Sequence, residues 1–268
     1  MADTPAAKKF PKKSLGQHFL RCEWVCGAII AAAHVGPTDT VLEIGPGTGV
    51  LTRPLAALAR HVIAVEKDER LAAELATAFA RDGISNVRII AGDILKHLPD
   101  LPGYDKIVAN IPYYLTGRLM RLVMEGRRKP RLAALTVQKE VALRMTARPP
   151  HMNLLALGVQ AYGAPALVKT IPASCFAPPP KVDSAIVVIS DISDDFFIRT
   201  GIAQGAFFAL ARAAFGQKRK TLANSLTPLV GDKTRALALI RAAGMSDVSR
   251  PEELSREQWA ALIRNFMQ

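Results

Sequence analysis

Thr40-Val-Leu-Glu-Ile-Gly-Pro-Gly-Thr-Gly49 is a short run of mostly apolar residues that ends in three glycines spaced two apart. A near-continuous apolar run of this length, bounded by glycine, predicts a strand buried on both faces. The pattern repeats outward from it. Val50 to Ala59 predicts a helix and His61-Val-Ile-Ala-Val-Glu66 a second strand, followed by a helix over Glu69 to Ala80. Val87 to Asp93 and Tyr104 to Asn110 predict two more strands, and Leu132 to Val137 a fifth with a helix from Lys139 to Thr146. Strands alternating with helices predict a parallel sheet covered on both faces. Two later strands, Ala166 to Ile171 and Ser184 to Ser190, follow less regular connections and are expected to close the sheet with an antiparallel edge. From Phe196 to Gln268 the patterning is helical, broken at Pro228, Gly231, Gly244 and Pro251.

The chain has 268 residues, enough to bury a core without a metal or disulfide staple. Half of them are hydrophobic, which excludes disorder as the main state. Three cysteines make no disulfide framework, and Cys22 and Cys26, four apart, read as core or half-exposed thiols on one helix face. The basic N-terminus runs into Leu15-Gly-Gln-His18 and not into the apolar region of a signal peptide. The most apolar window, Met152 to Val168, is interrupted by Asn, Gln, Gly and Pro, so no membrane span is expected. A soluble, cytoplasmic protein follows. Its net charge of +12 points to a polyanionic partner, with acidic lipid as the weaker alternative.

The glycine turn is spaced Gly-x-Gly-x-Gly, unlike the dinucleotide fingerprint Gly-x-Gly-x-x-Gly. On its own it is only a tight connection. Glu66, however, ends the second strand 21 residues after Gly45, where a carboxylate accepts both hydroxyls of a ribose. Asp93 ends the third strand, placed to accept from an adenine amino group. Three consecutive strands each offering a ligand-type residue fit S-adenosylmethionine better than NAD, whose pyrophosphate needs a helix N-terminus. The fourth strand ends in Asn110-Ile-Pro-Tyr113. An exocyclic adenine amine is a poor nucleophile because its lone pair is delocalised into the ring. The Asn110 amide oxygen, with a backbone carbonyl at Ile111 or Pro112, would accept its hydrogens and favour a pyramidal nitrogen. Pro112 keeps the chain extended, and Tyr113 would stack on the base for roughly 1–3 kcal/mol. Catalysis would then be mainly positioning, without a metal or a Lys or His base.

Asn-Ile-Pro-Tyr resembles the Asn-Pro-Pro-Tyr-like motif of adenine amino-methyltransferases. Four further segments resemble the small-subunit ribosomal RNA adenine dimethyltransferases, the KsgA family. They are Lys13-Ser-Leu-Gly-Gln-His-Phe-Leu20, Glu43-Ile-Gly-Pro-Gly-Thr-Gly-Val-Leu-Thr52, Phe176-Ala-Pro-Pro-Pro-Lys-Val-Asp-Ser184 and Ala214-Phe-Gly-Gln-Lys-Arg-Lys-Thr-Leu-Ala-Asn-Ser-Leu226. They fall in the family order and span nearly the whole chain. The resemblance implies an α/β protein: a Rossmann-like S-adenosylmethionine-dependent methyltransferase sheet with a small C-terminal all-helical domain. It divides the chain into a basic N-terminal segment (1–20) contributing to the cofactor site, a methyltransferase domain (21–192) and a helical RNA-contacting domain (193–268). It implies transfer of four methyls to two adjacent adenosines near the 3′ end of 16S ribosomal RNA, coupled to biogenesis of the small ribosomal subunit. By motif position, His18 and Leu20 would contact the cofactor, Gly45 and Gly47 border its methionine part, Glu66 hold its ribose, and Asp93 with Ile94 its adenine. Asn110 would touch both cofactor and target amine, and Phe176 would sandwich the base against Tyr113.

In the basic segments, Lys12, Lys13, Lys218, Arg219 and Lys220 are expected to track RNA phosphates, with Arg144 and Arg148 flanking the sheet edge. A base that must leave its stack to reach Asn110 makes a structured, locally open RNA the natural substrate of a monomeric enzyme. Met152-Asn153-Leu154 departs from the family's Tyr-Gly pattern. Two alternatives share these features: a large-subunit adenine methyltransferase of the antibiotic-resistance type, and a non-catalytic ribosome-assembly factor.

Overall fold

The computed structural model describes residues 17–217 and 220–267. Its strands are β1 (Phe19–Leu20), β2 (Thr40–Ile44), β3 (His61–Glu66), β4 (Val87–Ala91), β5 (Lys106–Asn110), β6 (Leu132–Gln138), β7 (Ala164–Ile171), β8 (Phe176–Ala177) and β9 (Ser184–Ser190). Seven of them form one sheet in the order β4-β3-β2-β5-β6-β9-β7, and β1 pairs with β8 in a separate two-stranded ribbon. Neighbours from β4 through β6 run parallel, while β9 is antiparallel to both β6 and β7. The antiparallel edge expected from the sequence is therefore present. The strand order reverses at β2, whose neighbours are β3 and β5, and this opens a crevice at the carboxyl ends of β2 and β5.

The helices are α1 (Glu23–Ala33), α2 (Thr52–Leu58), α3 (Glu69–Arg81), α4 (Ile94–His97), α5 (Thr116–Glu125), α6 (Lys139–Met145), α7 (Leu154–Gln160), α8 (Asp195–Thr200), α9 (Gln204–Phe215), α10 (Leu222–Val230), α11 (Lys233–Ala242) and α12 (Arg256–Phe266). Alternate residues of the central strands serve opposite faces. Val41, Val62, Val108 and Ala134 pack with Val25, Ile29 and Ile30 of α1 and Leu55 of α2. Leu42, Ile63, Ile107 and Leu135 face α4 to α7 and share one core with the C-terminal helices. That core continues through a cluster of rings, Tyr162, Phe196, Phe197, Phe207 and Phe208, packed edge-on or tilted against one another, with Tyr162 and Phe208 stacked. Such contacts add about 0.5–1.5 kcal/mol per pair beyond the area they bury.

At the opposite end of the strands from the crevice, Asp39 and Lys106 form a buried ion pair at 2.8 Å, and Arg131 reaches the same carboxylate. The Lys106 ammonium also donates to the His34 carbonyl. Burial pushes the Asp39 carboxyl up. The hydrogen bonds from Lys106 and the Gly36 N–H, with the charges of Lys106 and Arg131, outweigh this and hold it below its usual range.

The thiol reading of the cysteines holds for Cys26, which is buried, and fails for Cys22. Cys22 precedes α1 as its N-cap instead of sharing a helix face with Cys26, and it is disulfide-bonded to Cys175. Sequence spacing could not show this, because the two partners are brought together by the β1–β8 pairing. The unusual Met152-Asn153 pair has a local role: Met152 is buried, and the Asn153 side chain accepts from the Ala156 N–H to cap α7 while donating to the Arg144 carbonyl.

Candidate active site

The crevice is an open cleft of about 970 Å³, solvent at its mouth included. The β2–α2 turn, the ends of β3 and β5, the start of α4 and the residues around β1 all contribute to it. Gly45 and Gly47 take the left-handed conformation, with φ of 69° and 57°. A Cβ on Gly47 would stand 3.0 Å from the Phe19 ring, so glycine there lets β1 close onto the turn.

Glu66 is fastened from two sides. Gly47 N–H donates to its Oε2 at 2.9 Å and Asp68 N–H to its Oε1 at 2.8 Å. Burial raises its pKa, and these backbone donors pull in the opposite direction. Each oxygen keeps a further lone pair for a ligand hydroxyl. Asp93 caps α4 by accepting from the Leu95 N–H at 3.0 Å, and its other oxygen accepts from the Lys67 ammonium at 2.8 Å. The Lys67 hydrogen bond holds the Asp93 carboxyl below its usual range.

Glu43 lines the same cleft although it sits in mid-strand and is only 1% exposed. Its Oε2 has no hydrogen-bond partner among the described residues. Burial pushes its pKa up to about 8, with the Thr52 hydroxyl opposing and the charge of Glu66 adding to the rise. A buried carboxyl with one oxygen lacking a donor is a place for a cationic ligand group. The sequence signal was available: one acid inside Thr40-Val-Leu-Glu-Ile44, where the strand is otherwise closed to water.

Asn110 ends β5 with its Nδ2 donating to the His18 carbonyl at 3.1 Å, which leaves its Oδ1 to accept. The Pro112 carbonyl is engaged by the Leu115 N–H, so of the two backbone acceptors expected near the amine Ile111 is the candidate. The Tyr113 hydroxyl is 2.6 Å from the buried Ser184 Oγ at the start of β9. The His18 ring lies against Tyr113, with centroids 5.7 Å apart and planes 24° from parallel.

His18, Leu20, Gly45, Gly47, Glu66, Asp93, Ile94, Asn110, Pro112 and Tyr113 thus all line one cleft. Phe176 does not join them. It is 2% exposed and packed in the core beneath β1 with Leu20 and Ile186, while the His18 ring lies against Tyr113. Arg144, Arg148 and Lys220 are exposed, and Lys12, Lys13, Lys218 and Arg219 lie outside the described residues. Glu43, Lys67 and Ser184 are the residues that sequence reasoning left unassigned.

A cleft at the switch point of a Rossmann-like sheet, lined by the acids Glu43, Glu66 and Asp93, has the kind of acceptors that S-adenosylmethionine needs. The class so defined is that of the S-adenosylmethionine-dependent methyltransferases. A family model described as ribosomal RNA adenine dimethylase matches residues 8–268, and the chain belongs to that family.

The chain is 46% identical to a ribosomal RNA small subunit methyltransferase A of Dehalococcoides mccartyi, over 94% of this chain and 87% of the relative. It is 39% identical to a protein of the same name from Moorella thermoacetica, over 96% and 92% of the two chains. Among solved structures it is similar to a dimethyladenosine transferase from Plasmodium falciparum, with TM-score 0.82, 29% identity and 93% and 98% coverage. It is also similar to the 23S rRNA methyltransferase ErmE, with TM-score 0.73, 26% identity and 93% and 100% coverage.

Proposed function

We propose that this protein methylates the N6 amines of two adjacent adenosines near the 3′ end of 16S ribosomal RNA, twice each, as a cytoplasmic monomer acting on the small ribosomal subunit. The observation that carries the reading is the Asn110 amide, tied through its nitrogen to His18 and so presenting an acceptor beside a stacking tyrosine. S-Adenosylmethionine, when bound, supplies a methyl on an electrophilic sulfonium. Glu66 holds the ribose, Asp93 the adenine amine, and Glu43 the ammonium of the methionine end, with Gly45 and Gly47 allowing close backbone approach. Asn110 Oδ1 and the Ile111 carbonyl accept the two hydrogens of the target amine, withdrawing its lone pair from the ring. Tyr113 orients the base. The amine's proton leaves to water after transfer, so no side-chain base is needed, and the effect is one of positioning. The segment 193–268, with Arg144, Arg148, Lys12, Lys13 and Lys218 to Lys220, contacts ribosomal RNA phosphates.

The names of the sequence relatives favour the small subunit, and the likeness to ErmE keeps a large-subunit target as the second reading. Incubation with S-adenosylmethionine and either subunit lacking the marks, followed by mass spectrometry of nuclease fragments, decides between them. Two dimethyladenosines near the small-subunit 3′ end are expected. Modification confined to the large subunit would overturn the assignment, and tight binding without transfer would leave an assembly factor.

A further inference from the structure

Among the described residues, the segment that roofs the cleft is tied to β8 by a short run of backbone bonds and to β5 by the bond from Asn110 to the His18 carbonyl. β1 meets β8 through two residue pairs, Phe19 with Ala177 and Leu20 with Phe176. Arg21 N–H donates to the Cys175 carbonyl at 2.8 Å, and the His18 Nδ1 is 2.7 Å from the Pro178 carbonyl. Net hydrogen-bond contributions of about 0.5–1.5 kcal/mol each are within reach of local opening. The bond between Cys22 and Cys175 is not. It joins residues 153 apart in sequence, with Cα atoms 5.1 Å apart, directly behind the β1–β8 pairing.

The position matters because of His18. Its ring lies against one face of Tyr113, the side chain on which a target base would stack, and it stands one residue before β1. The base enters when the strap around β1 lifts from β8 and the His18 ring turns aside; the His18 carbonyl meets Asn110 again when the strap closes. The same movement would release the backbone over Phe176, adjacent to Cys175, and open the cofactor cleft, which His18, Phe19 and Leu20 line. Disulfides inside mesophilic cells are usually transient and redox-sensing.

We propose that Cys22 and Cys175 are a redox-modification site that latches this strap. Oxidised, the pair holds His18 over Tyr113 and slows both admission of the base and exchange of the cofactor; reduced, it lets the strap open. The inference rests on the methyl-transfer reading for its consequence, not for the chemistry of the latch. The oxidant is a low-molecular-weight disulfide. The thiolate of half-buried Cys22 attacks one of its sulfurs and expels one thiolate. The Cys175 thiolate then attacks the Cys22 sulfur of the mixed disulfide and expels the second. The protein loses two protons and two electrons, and the oxidant becomes two thiols. A dithiol reverses both steps.

The test treats the whole protein with oxidised glutathione or with dithiothreitol. Thiol titration under denaturing conditions should give one thiol, Cys26, after oxidation and three after reduction. Hydrogen exchange of the Phe19 to Cys22 amides, release of S-adenosylhomocysteine and methyl transfer should each be about ten-fold slower in the oxidised form. Cys22→Ser, which keeps a good N-cap residue for α1, should match the reduced protein under both treatments, and Cys175→Ala provides a second variant. Three thiols after oxidation would overturn the proposal. So would equal strap exchange and release rates in the two forms, or the same slowing in Cys22→Ser. A reduced protein that transfers no methyl would count against the enzymatic reading alone, since thiol count, strap exchange and release still test the latch.

Discussion

The side-chain amide of Asn110 donates to the main-chain carbonyl of His18 at 3.1 Å, across 92 positions of sequence. This bond selects which end of the amide faces the chemistry. Asn110→Ala removes the acceptor without touching the basic surface. Transfer at saturating cofactor should fall at least about 100-fold, in the range seen when one positioned hydrogen-bonding group is lost, while subunit affinity stays within about two-fold. Single-turnover methylation and filter binding check this, and near-normal turnover would reject the amine-orienting role.

Glu43 couples folding to pH. In the unfolded chain it ionises near 4.5, whereas in the fold it keeps its proton to about 8. Its contribution is therefore fully present below pH 4.5 and is lost as pH rises through 8. Glu43→Gln keeps the neutral form at all pH values and should flatten the decline in melting temperature between pH 5 and 8.5. The same variant should bind S-adenosylmethionine about ten-fold more weakly by calorimetry, having lost a carboxyl that can give up its proton to meet an ammonium. A variant whose melting profile parallels wild type would remove Glu43 from this account.

Tyr113 and Ser184 share a 2.6 Å hydrogen bond between the motif turn and β9. Ser184→Ala and Tyr113→Phe each leave one partner unmatched, at a cost of about 1–3 kcal/mol. The double variant should cost clearly less than the two singles combined. Urea unfolding of all four proteins measures the coupling, and strict additivity would show that the two hydroxyls act independently.

The buried pair of Asp39 and Lys106 should behave differently. Asp39→Ala strands the Lys106 ammonium in the interior and should destabilise the protein by about 3–5 kcal/mol. Because its folded pKa is depressed, Asp39 contributes stability that is present above its unfolded value and lost as pH falls through the folded one. Denaturant midpoints in a pH series test both statements. Wild-type stability in the alanine variant would contradict them.

Exposed Arg144, Arg148 and Lys220 are expected to meet phosphates. Neutralising all three should reduce the slope of log K against log salt by about 2 to 3, at roughly 0.7–0.9 per contact. An unchanged slope would move the RNA surface elsewhere on the molecule.

The parallel sheet was legible because Val41, Leu42, Ile63 and Val108 belong to runs closed on both faces, a signal that depends on local composition alone. Strand ends were less so: the strand predicted to Asp93 stops at Ala91 and the one predicted from Tyr104 begins at Lys106, where capping and loop hydrogen bonds take over. Glu66 and Asn110 could be located because each ends a recognisable strand, and Asp93 because it follows one within two residues. Two features were not accessible, and a third, Glu43, was accessible but overlooked. The β1–β8 pairing is two residues long and carries no periodicity, so neither the bond between Cys22 and Cys175 nor the burial of Phe176 could be read ahead of it. Ser184 met Tyr113 only through the antiparallel placement of β9. Glu43 looked like part of a glycine motif until its burial showed a carboxyl with one oxygen lacking a donor.

The central strands carry two separate charge assemblies at their two ends: Glu43, Glu66 and Asp93 toward the carboxyl ends, and Asp39, Lys106 and Arg131 at the amino ends. A mutational survey of the sheet should accordingly split along its length. Changes at one pole should alter turnover in a protein that still folds. Changes at the other should lower expression and heat tolerance in a protein that, while folded, works normally. Such polarity leaves room for a change of specificity at the first pole to be rescued by a stabilising substitution at the second, because the two do not share a side chain.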